Sequence, residues 1–409
     1  MELTLVLDQE HKLNSNMSRK KKVWYLGLEP LKARYTGQLT EDWMPAAFDQ
    51  FKSDVDFISV PGDYDPDQEI KVGAVLDAVG RGVFAMSQVT RLLDAIRFND
   101  FQDGDIVYIQ DMWHPGVEAL FYAWDLYGYK DVKVYTRCWA QSVDEYDFTF
   151  PMREWMRYYE LGFDKYLTGI FVASTIHRDQ LREAGFTAPI HVLGLPVHSE
   201  SVRNTAGNTK KQFKDNVVVY TSRFDKEKNP FFMMEVAKQF LEQNPNWEWH
   251  ITTSGKEIRS MMPGTVEALR ELSTVEPRFK ICEGISKQEY YTKLKTSEIQ
   301  FNTALQDYVA FTAVEGDVFE ADLVYPDFRS FKETVDASRR YVPFKVDSAL
   351  EVLNNAIKTK RPNHGIAEAC DIGILTEAMI VSNGIDYELN VWHEKELCRH
   401  LLTRKGINV

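Results

Sequence analysis

The sequence predicts an α/β protein built from two doubly wound Rossmann-like domains that face a cleft. Three observations predict it. Short apolar strands alternate with helical spacing through the first half, a polar and turn-rich break follows at residues 199–215, and the same alternation then restarts. Near-continuous apolar strands between helices belong to parallel sheets covered on both faces.

In the first half, the expected strands are Val23–Leu28, Phe57–Val60, Asp105–Gln110, Val132–Tyr135, Gly169–Ala173 and Ile190–Leu193. Helical spacing runs through Ala74–Arg97, Val117–Tyr127 and Thr175–Ala184. In the second half, strands are expected at Val217–Tyr220, Trp247–Thr252, Phe279–Ile281, Glu298–Asn302 and Leu323–Tyr325. Helices are expected at Phe231–Asn244, Val266–Ser273, Lys287–Lys295 and Thr312–Ala321. The domains are therefore drawn at 17–205 and 206–390, with residues 1–16 as an extension before Met17 and 391–409 as a C-terminal helix. Two such domains create a cleft at the carboxyl ends of their sheets, where ligands bind in this architecture.

Composition narrows the class. Net charge is −13, so the chain is not a polycation that coats nucleic acid. Four cysteines, Cys138, Cys282, Cys370 and Cys398, form no CxxC pair, which argues against a structural metal or a disulfide framework. No apolar run approaches a membrane span, and no apolar leader opens the chain. A cytoplasmic setting is expected.

Three pieces of the second half carry chemistry. The first runs from Thr221 to Pro230 between a strand and a helix and holds Arg223 and Lys228. A guanidinium fork, an ammonium and a helix N-terminus suit a diphosphate. The second is Asp307-Tyr308-Val309-Ala310-Phe311-Thr312-Ala313-Val314-Glu315. Its loop amides are free to meet phosphate or sugar oxygens, Asp307 can accept from sugar hydroxyls, and Glu315 from ribose hydroxyls. The third is Cys282-Glu283-Gly284-Ile285-Ser286, where Gly284 lets backbone approach a flat base. A basic turn, an acidic first helical turn and a plain turn are the bland alternatives. Asp63-Tyr64-Asp65 and Asp103-Gly104-Asp105 have the spelling of a DxD metal motif but read as turns.

The order of these pieces resembles the retaining glycosyltransferases of family 4, which have the GT-B fold. There a short Arg…Lys loop grips the donor diphosphate, a Gly-containing loop follows, and a Glu-x7-Glu motif holds sugar and ribose. This chain has Asp307-x7-Glu315, so its first acid departs from the pattern, and the Gly-Pro that follows in the family is absent. The resemblance covers roughly residues 165–330, with Val172-Ala173-Ser174 and Ile190 to Pro196 included. It implies a nucleotide-sugar donor, with a UDP-sugar as leading candidate, no cofactor and no metal. It also implies front-face attack, with the acceptor proton leaving through the departing phosphate.

The first half diverges more. Arg34, Tyr35 and Thr36 occupy the place of the family's Gly-rich loop. The phrase from Leu28 to Gln38 resembles glycosyltransferases of large tailed bacteriophages, some of which decorate modified bases in viral DNA. His114 follows a strand, and in the family a histidine in this region contacts the donor sugar. Asp111 and Arg137 fall at strand ends on the acceptor side. Arg19–Lys22 and the rings of Trp113, Trp139 and Trp155 make double-stranded DNA carrying a hydroxymethylated pyrimidine the leading acceptor. A glycan, lipid-linked sugar or protein acceptor is the alternative, and a noncatalytic nucleotide-sugar-binding module the reading from another class.

Overall fold

The computed structural model describes residues 19–31, 34–65, 78–139, 141–145, 147, 149–207, 214–254, 257–305 and 307–381. The extension at 1–16 and the helix at 391–409 lie outside these residues. Two six-stranded parallel sheets form the frame. The first comprises β1 (Lys21–Leu26), β2 (Val55–Ser59), β3 (Ile106–Ile109), β4 (Lys133–Arg137), β5 (Gly169–Val172) and β6 (Ile190–Val192), in spatial order 2-1-3-4-5-6. The second comprises β7 (Asp215–Tyr220), β8 (Glu248–Ser254), β9 (Phe279–Ile285), β10 (Ser297–Phe301), β11 (Asp322–Pro326) and β12 (Arg340–Tyr341), in order 12-11-10-7-8-9. The expected boundary at 205–206 falls between β6 and β7.

Apolar strands succeed because both faces are covered. Val23 and Tyr25 of β1 enter one core while Trp24 and Leu26 enter another, as the two-residue period of a strand requires. The outer face of the second sheet has its own core, including Val218, Trp249, Phe301 and Val324. The inner core is shared. It joins Tyr25 and Tyr108 of the first sheet to Val219, Leu323 and Tyr325 of the second.

Asp105 pins the amino edge of the first sheet. Its carboxylate accepts from the Lys22 amide at 3.0 Å, the Trp24 indole at 3.0 Å, the Gln102 amide at 3.1 Å and the Arg19 guanidinium at 2.8 Å. Asp103 likewise accepts from the Lys130 and Asp131 amides. The acids of the Asp103-Gly104-Asp105 triplet are thus engaged in turn and strand structure. Among the described residues no cluster of three metal-ligating side chains occurs, and no helix is long and apolar enough to cross a membrane.

Three segments depart from the expected pattern. Residues 35–49 form one helical run, α1, whose middle, Gln38–Trp43, is π-helical. Pro45 lacks an amide donor and crowds the preceding turn, so a wider turn before it is the physical outcome. The break at 199–215 contains a helix, Ser199–Thr205. After β12 and a helix at Val346–Ala356, the chain crosses back: Val197 bridges Asp371, and helix Ile372–Val381 packs on α1. Gly194 permits that crossing, because a Cβ there would sit 2.6 Å from Cys370 Sγ.

Replacing Asp105 by Ala strands the Trp24 indole and leaves Arg19 without its carboxylate. The variant should lose about 2–4 kcal/mol in chemical denaturation. A loss under about 0.5 kcal/mol would contradict the pinning role.

Candidate functional site

Each sheet reverses its strand order at a point that opens toward the cleft, between β1 and β3 and between β7 and β10. The candidate residues lie after these strands.

In the second half, the loop after β7 closes with a short turn at Lys226–Lys228 and enters helix Pro230–Gln243, with proline at its first position. The Lys228 carbonyl accepts from the Tyr220 hydroxyl at 3.1 Å and the Thr303 hydroxyl at 2.5 Å. Its backbone is thereby fixed between β7 and β10. Its side chain is 8% exposed, and the ammonium lies 2.6 Å from Asp307 Oδ2. Arg223 is different. It is 55% exposed and lies on its own loop against Asp225 at 3.1 Å and Glu227 at 2.6 Å.

Asp307 is held by its carbonyl, which accepts from the Ser330 hydroxyl at 2.6 Å. Helix Phe311–Val318 follows. Ala310 at its N-cap supplies no side-chain acceptor to the first-turn amides. Glu315 is buried and accepts from Tyr290 at 2.6 Å, Tyr291 at 3.0 Å and Lys287 at 3.4 Å. These three partners went unread in the sequence. Their spacing, i, i+3 and i+4 on the helix that opens after Ser286, was the available signal. That helix, Lys287–Thr296, starts with a capping box between Ser286 and Glu289. Just before it, Gly284 has φ +67° and open space beside its Cα, while Ile285 packs against the shared core.

In the first half, Arg34 and Tyr35 begin α1. The Arg34 guanidinium loses affinity for its proton mainly through burial, and the positive charge of Arg223 adds to that. Arg34 follows β1 of the first sheet and Arg223 follows β7 of the second. The Tyr35 ring stacks on Phe311 at 4.3 Å, and Trp139 lies 5.8 Å from Phe311, so one aromatic wall is built from both halves. Burial pushes the Tyr35 hydroxyl up to about 12. Thr36 has a buried hydroxyl with no hydrogen-bond partner among the described residues.

Asp111 lies 3.5 Å from Arg81, which also meets Glu29 at 3.2 Å. Burial raises the Asp111 carboxyl to about 6. His114, expected to face the cleft, is fully buried, with Nε2 3.1 Å from Gln88 Oε1. Burial and the Arg81 charge lower its pKa to about 3, so the ring is neutral. Arg137 is also fully buried and donates to the Gly194 carbonyl.

Tyr308 has a neighbourhood its sequence position did not signal. Its ring stacks on His177 at 3.7 Å, and its hydroxyl donates to Asp144 at 2.5 Å. Arg329 meets both oxygens of that carboxylate at 3.0 Å. Glu333 accepts from the Thr175 and Ile176 amides at the start of helix Thr175–Ala184. Tyr308, Arg329 and Glu333 thus fasten the second half to the first. Val309 and Ala310 are buried beside this contact.

The basic cluster Arg19–Lys22 lies at the amino edge of the first sheet, away from the carboxyl ends. Arg19 pairs with Asp105, Lys22 with Asp100, and Lys20 approaches Asp56 at 3.9 Å. Trp155 stands half-exposed on helix Arg153–Phe163.

No protein-family model matches the chain, and no curated protein sequence matches it. Solved structures do. An apo structure of OtsA superposes with TM-score 0.61 at 12% identity, over 90% of this chain and 99% of its own. A glycosyltransferase from Rickettsia africae ESF-5 superposes with TM-score 0.52 at 12% identity, over 94% and 99%. A point mutant of S. aureus TarM, in complex with Fondaparinux, alpha-GlcNAc-glycerol and UDP, gives TM-score 0.48 at 14% identity, over 74% of this chain. The chain spans 56% of the length of that TarM chain. The likenesses to OtsA and to the Rickettsia africae protein establish the fold, two doubly wound α/β domains facing a cleft, as in GT-B proteins.

Two outcomes follow from the geometry. Arg329→Ala removes the cation that meets the buried Asp144 carboxylate and should cost about 3–5 kcal/mol in urea unfolding; a change within error would contradict the fastening role. Asp111 binds its proton more tightly folded than unfolded, so its contribution to stability falls as pH rises from about 4 to about 7. Asp111→Asn carries no such charge and should gain on the wild type by about 3 kcal/mol over that range. Parallel stability curves would contradict it.

Proposed function

We propose that the chain is a glycosyltransferase that moves a sugar from a nucleotide-sugar donor, with a UDP-sugar the expected one, to an acceptor hydroxyl with retention of configuration. The supporting observation is the placement of cations after strands of both sheets: Arg34 follows β1, while Arg223 and Lys228 stand on the loop after β7, with the Lys228 ammonium 2.6 Å from Asp307. Cations from both halves suit a ligand that brings several negative charges, and a diphosphate does.

In this reading the bond from the sugar's C1 to the diphosphate oxygen breaks, and C1 bonds to the acceptor oxygen on the same face. The acceptor proton passes to the departing phosphate oxygen. Arg223, Lys228 and Arg34 stabilise charge where it grows, so the proposal requires no metal. Asp307 aims the Lys228 ammonium and accepts from sugar hydroxyls. Glu315 holds the Tyr290 and Tyr291 hydroxyls and Lys287 at the wall assigned to the ribose. Gly284 and Ile285 form the flat backbone patch for the base. Neutral His114 supports the sugar side from beneath.

For the acceptor, the ion pairs of Arg19, Lys20 and Lys22 remove one reason for DNA, while Trp139 stands beside Phe311 in an aromatic wall.

Turnover on a panel of nucleotide sugars, with hydroxymethylcytosine DNA, unmodified DNA and small sugars as acceptors, tests the reading. Arg223→Ala and Lys228→Ala should each lose about 100- to 1,000-fold in kcat while keeping wild-type circular dichroism. Unchanged turnover in either would remove the assignment, and nucleotide binding without turnover on any acceptor would favour a binding module. Label appearing only on modified DNA would restore the DNA acceptor.

A further inference from the structure

Arg223, on the loop after β7, stands between two acids of the same loop. Its Nη1 donates to Asp225 Oδ2 at 3.1 Å, and its Nη2 donates to Glu227 Oε1 at 2.6 Å. One cation between two carboxylates leaves the group net negative. The neighbouring Lys228 ammonium does not reverse that sign, because it is itself paired with Asp307 at 2.6 Å. A polyanion approaching Arg223 therefore meets like charge at close range, where repulsion is strongest. For the guanidinium to serve such a ligand, one of its two acids has to give way.

The two acids are not held alike. Asp225 is anchored a second time, since its Oδ1 accepts from the Met261 amide at 3.0 Å. Beside it the Ser260 hydroxyl donates to the Phe224 carbonyl at 2.5 Å. These bonds stitch the loop after β8 to the Arg223 loop, and turning Asp225 away would break one of them. Glu227 is fixed through its backbone instead, where its carbonyl accepts from the Leu305 amide at 2.8 Å. Among the described residues its carboxylate bonds to Arg223 alone. The Glu227 side chain is 25% exposed, so water can replace the guanidinium when it swings out. Arg223 itself is more than half exposed, and an ion pair at such a site is weak enough to exchange.

We propose that Glu227 is a displaceable counter-ion: it holds the Arg223 guanidinium until a diphosphate takes its place, and it returns to Arg223 as the diphosphate leaves. Naming the polyanion a donor diphosphate rests on the glycosyltransferase reading; the exchange itself requires only a polyanion at Arg223. Asp225 keeps the guanidinium aimed throughout, and Glu227 is a positioning residue that acts through Arg223. No covalent bond changes in the exchange. The carboxylate moves into water as phosphate oxygens arrive. The consequence is lower affinity for every ligand that uses Arg223, together with faster release of the nucleotide product, because the competing carboxylate is tethered to the same loop.

The test is calorimetric and stopped-flow titration of the full chain with UDP, inorganic pyrophosphate and uridine, in the wild type, Glu227→Gln, Arg223→Ala and the double variant. Glu227→Gln should bind UDP and pyrophosphate about 3- to 5-fold more tightly, the value of one exposed ion pair. The gain should come mainly from slower release. Uridine, which carries no phosphate, should bind unchanged. On the Arg223→Ala background the same substitution should change UDP affinity by less than about 2-fold, because the pair it would break is already gone. Unchanged or weaker binding of UDP and pyrophosphate in Glu227→Gln overturns the proposal, since an acid that only orients Arg223 weakens binding when it is removed. Equal tightening with and without Arg223 overturns it as well, because that is a general loss of negative charge. Failure of UDP to bind the wild type would count against the glycosyltransferase reading, and pyrophosphate would then decide the exchange alone. Pyrophosphate that binds neither the wild type nor Glu227→Gln would overturn the exchange too.

Discussion

The rest of the structure depends on the contact that joins the two halves away from the cations Arg34, Arg223 and Lys228. Arg329 and Tyr308 share Asp144, Glu333 caps a helix of the other half, and a single apolar core runs between the sheets. Stability is thereby invested behind the cleft, while cations accumulate along its edge. In the proposed reading, a basic edge backed by a well-packed interface suits an anion, because the reorganisation is already done before binding.

Negative charge is distributed to match. Asp307 is the one of the two spaced acids that meets a cleft cation directly, at Lys228. Glu315 is instead saturated by two tyrosines and a lysine. The pair therefore divides the labour: one carboxylate orients a cation, the other fixes a wall of hydroxyl groups. Tyr291 carries that wall to the first half, since its hydroxyl also lies 3.2 Å from Gln38 Oε1 in the π-helical turn of α1. The irregular turn is thus placed where it can join helix Lys287–Thr296 to the first half.

Much of the frame was legible in the sequence because strands buried on both faces must be apolar along their whole length. Val23–Leu26, Ile106–Ile109 and Val217–Tyr220 are such runs. The helical run at 35–49 was not legible, since Pro45 and a π-turn break the regular period. Nor was the return of residues 366–381 to the first half, which depends on Gly194 leaving room for Cys370. At the site, Arg223, Lys228 and Asp307 were readable from their place after strands. Tyr308 and Arg137 were not, because side-chain direction is set by packing across halves that lie far apart in sequence. Sequence position put both on loops or strand ends; tertiary packing gave one to the interface and buried the other's charge.

The most direct measurement of the central claim is a double-mutant cycle on UDP binding, with Arg34→Ala and Arg223→Ala measured singly and together by calorimetry. If both side chains grip one diphosphate, each single variant weakens binding, and the combined loss differs from the sum by at least about 0.5 kcal/mol. Strictly additive losses, or binding indifferent to either residue, would contradict a shared anion between the two sheets.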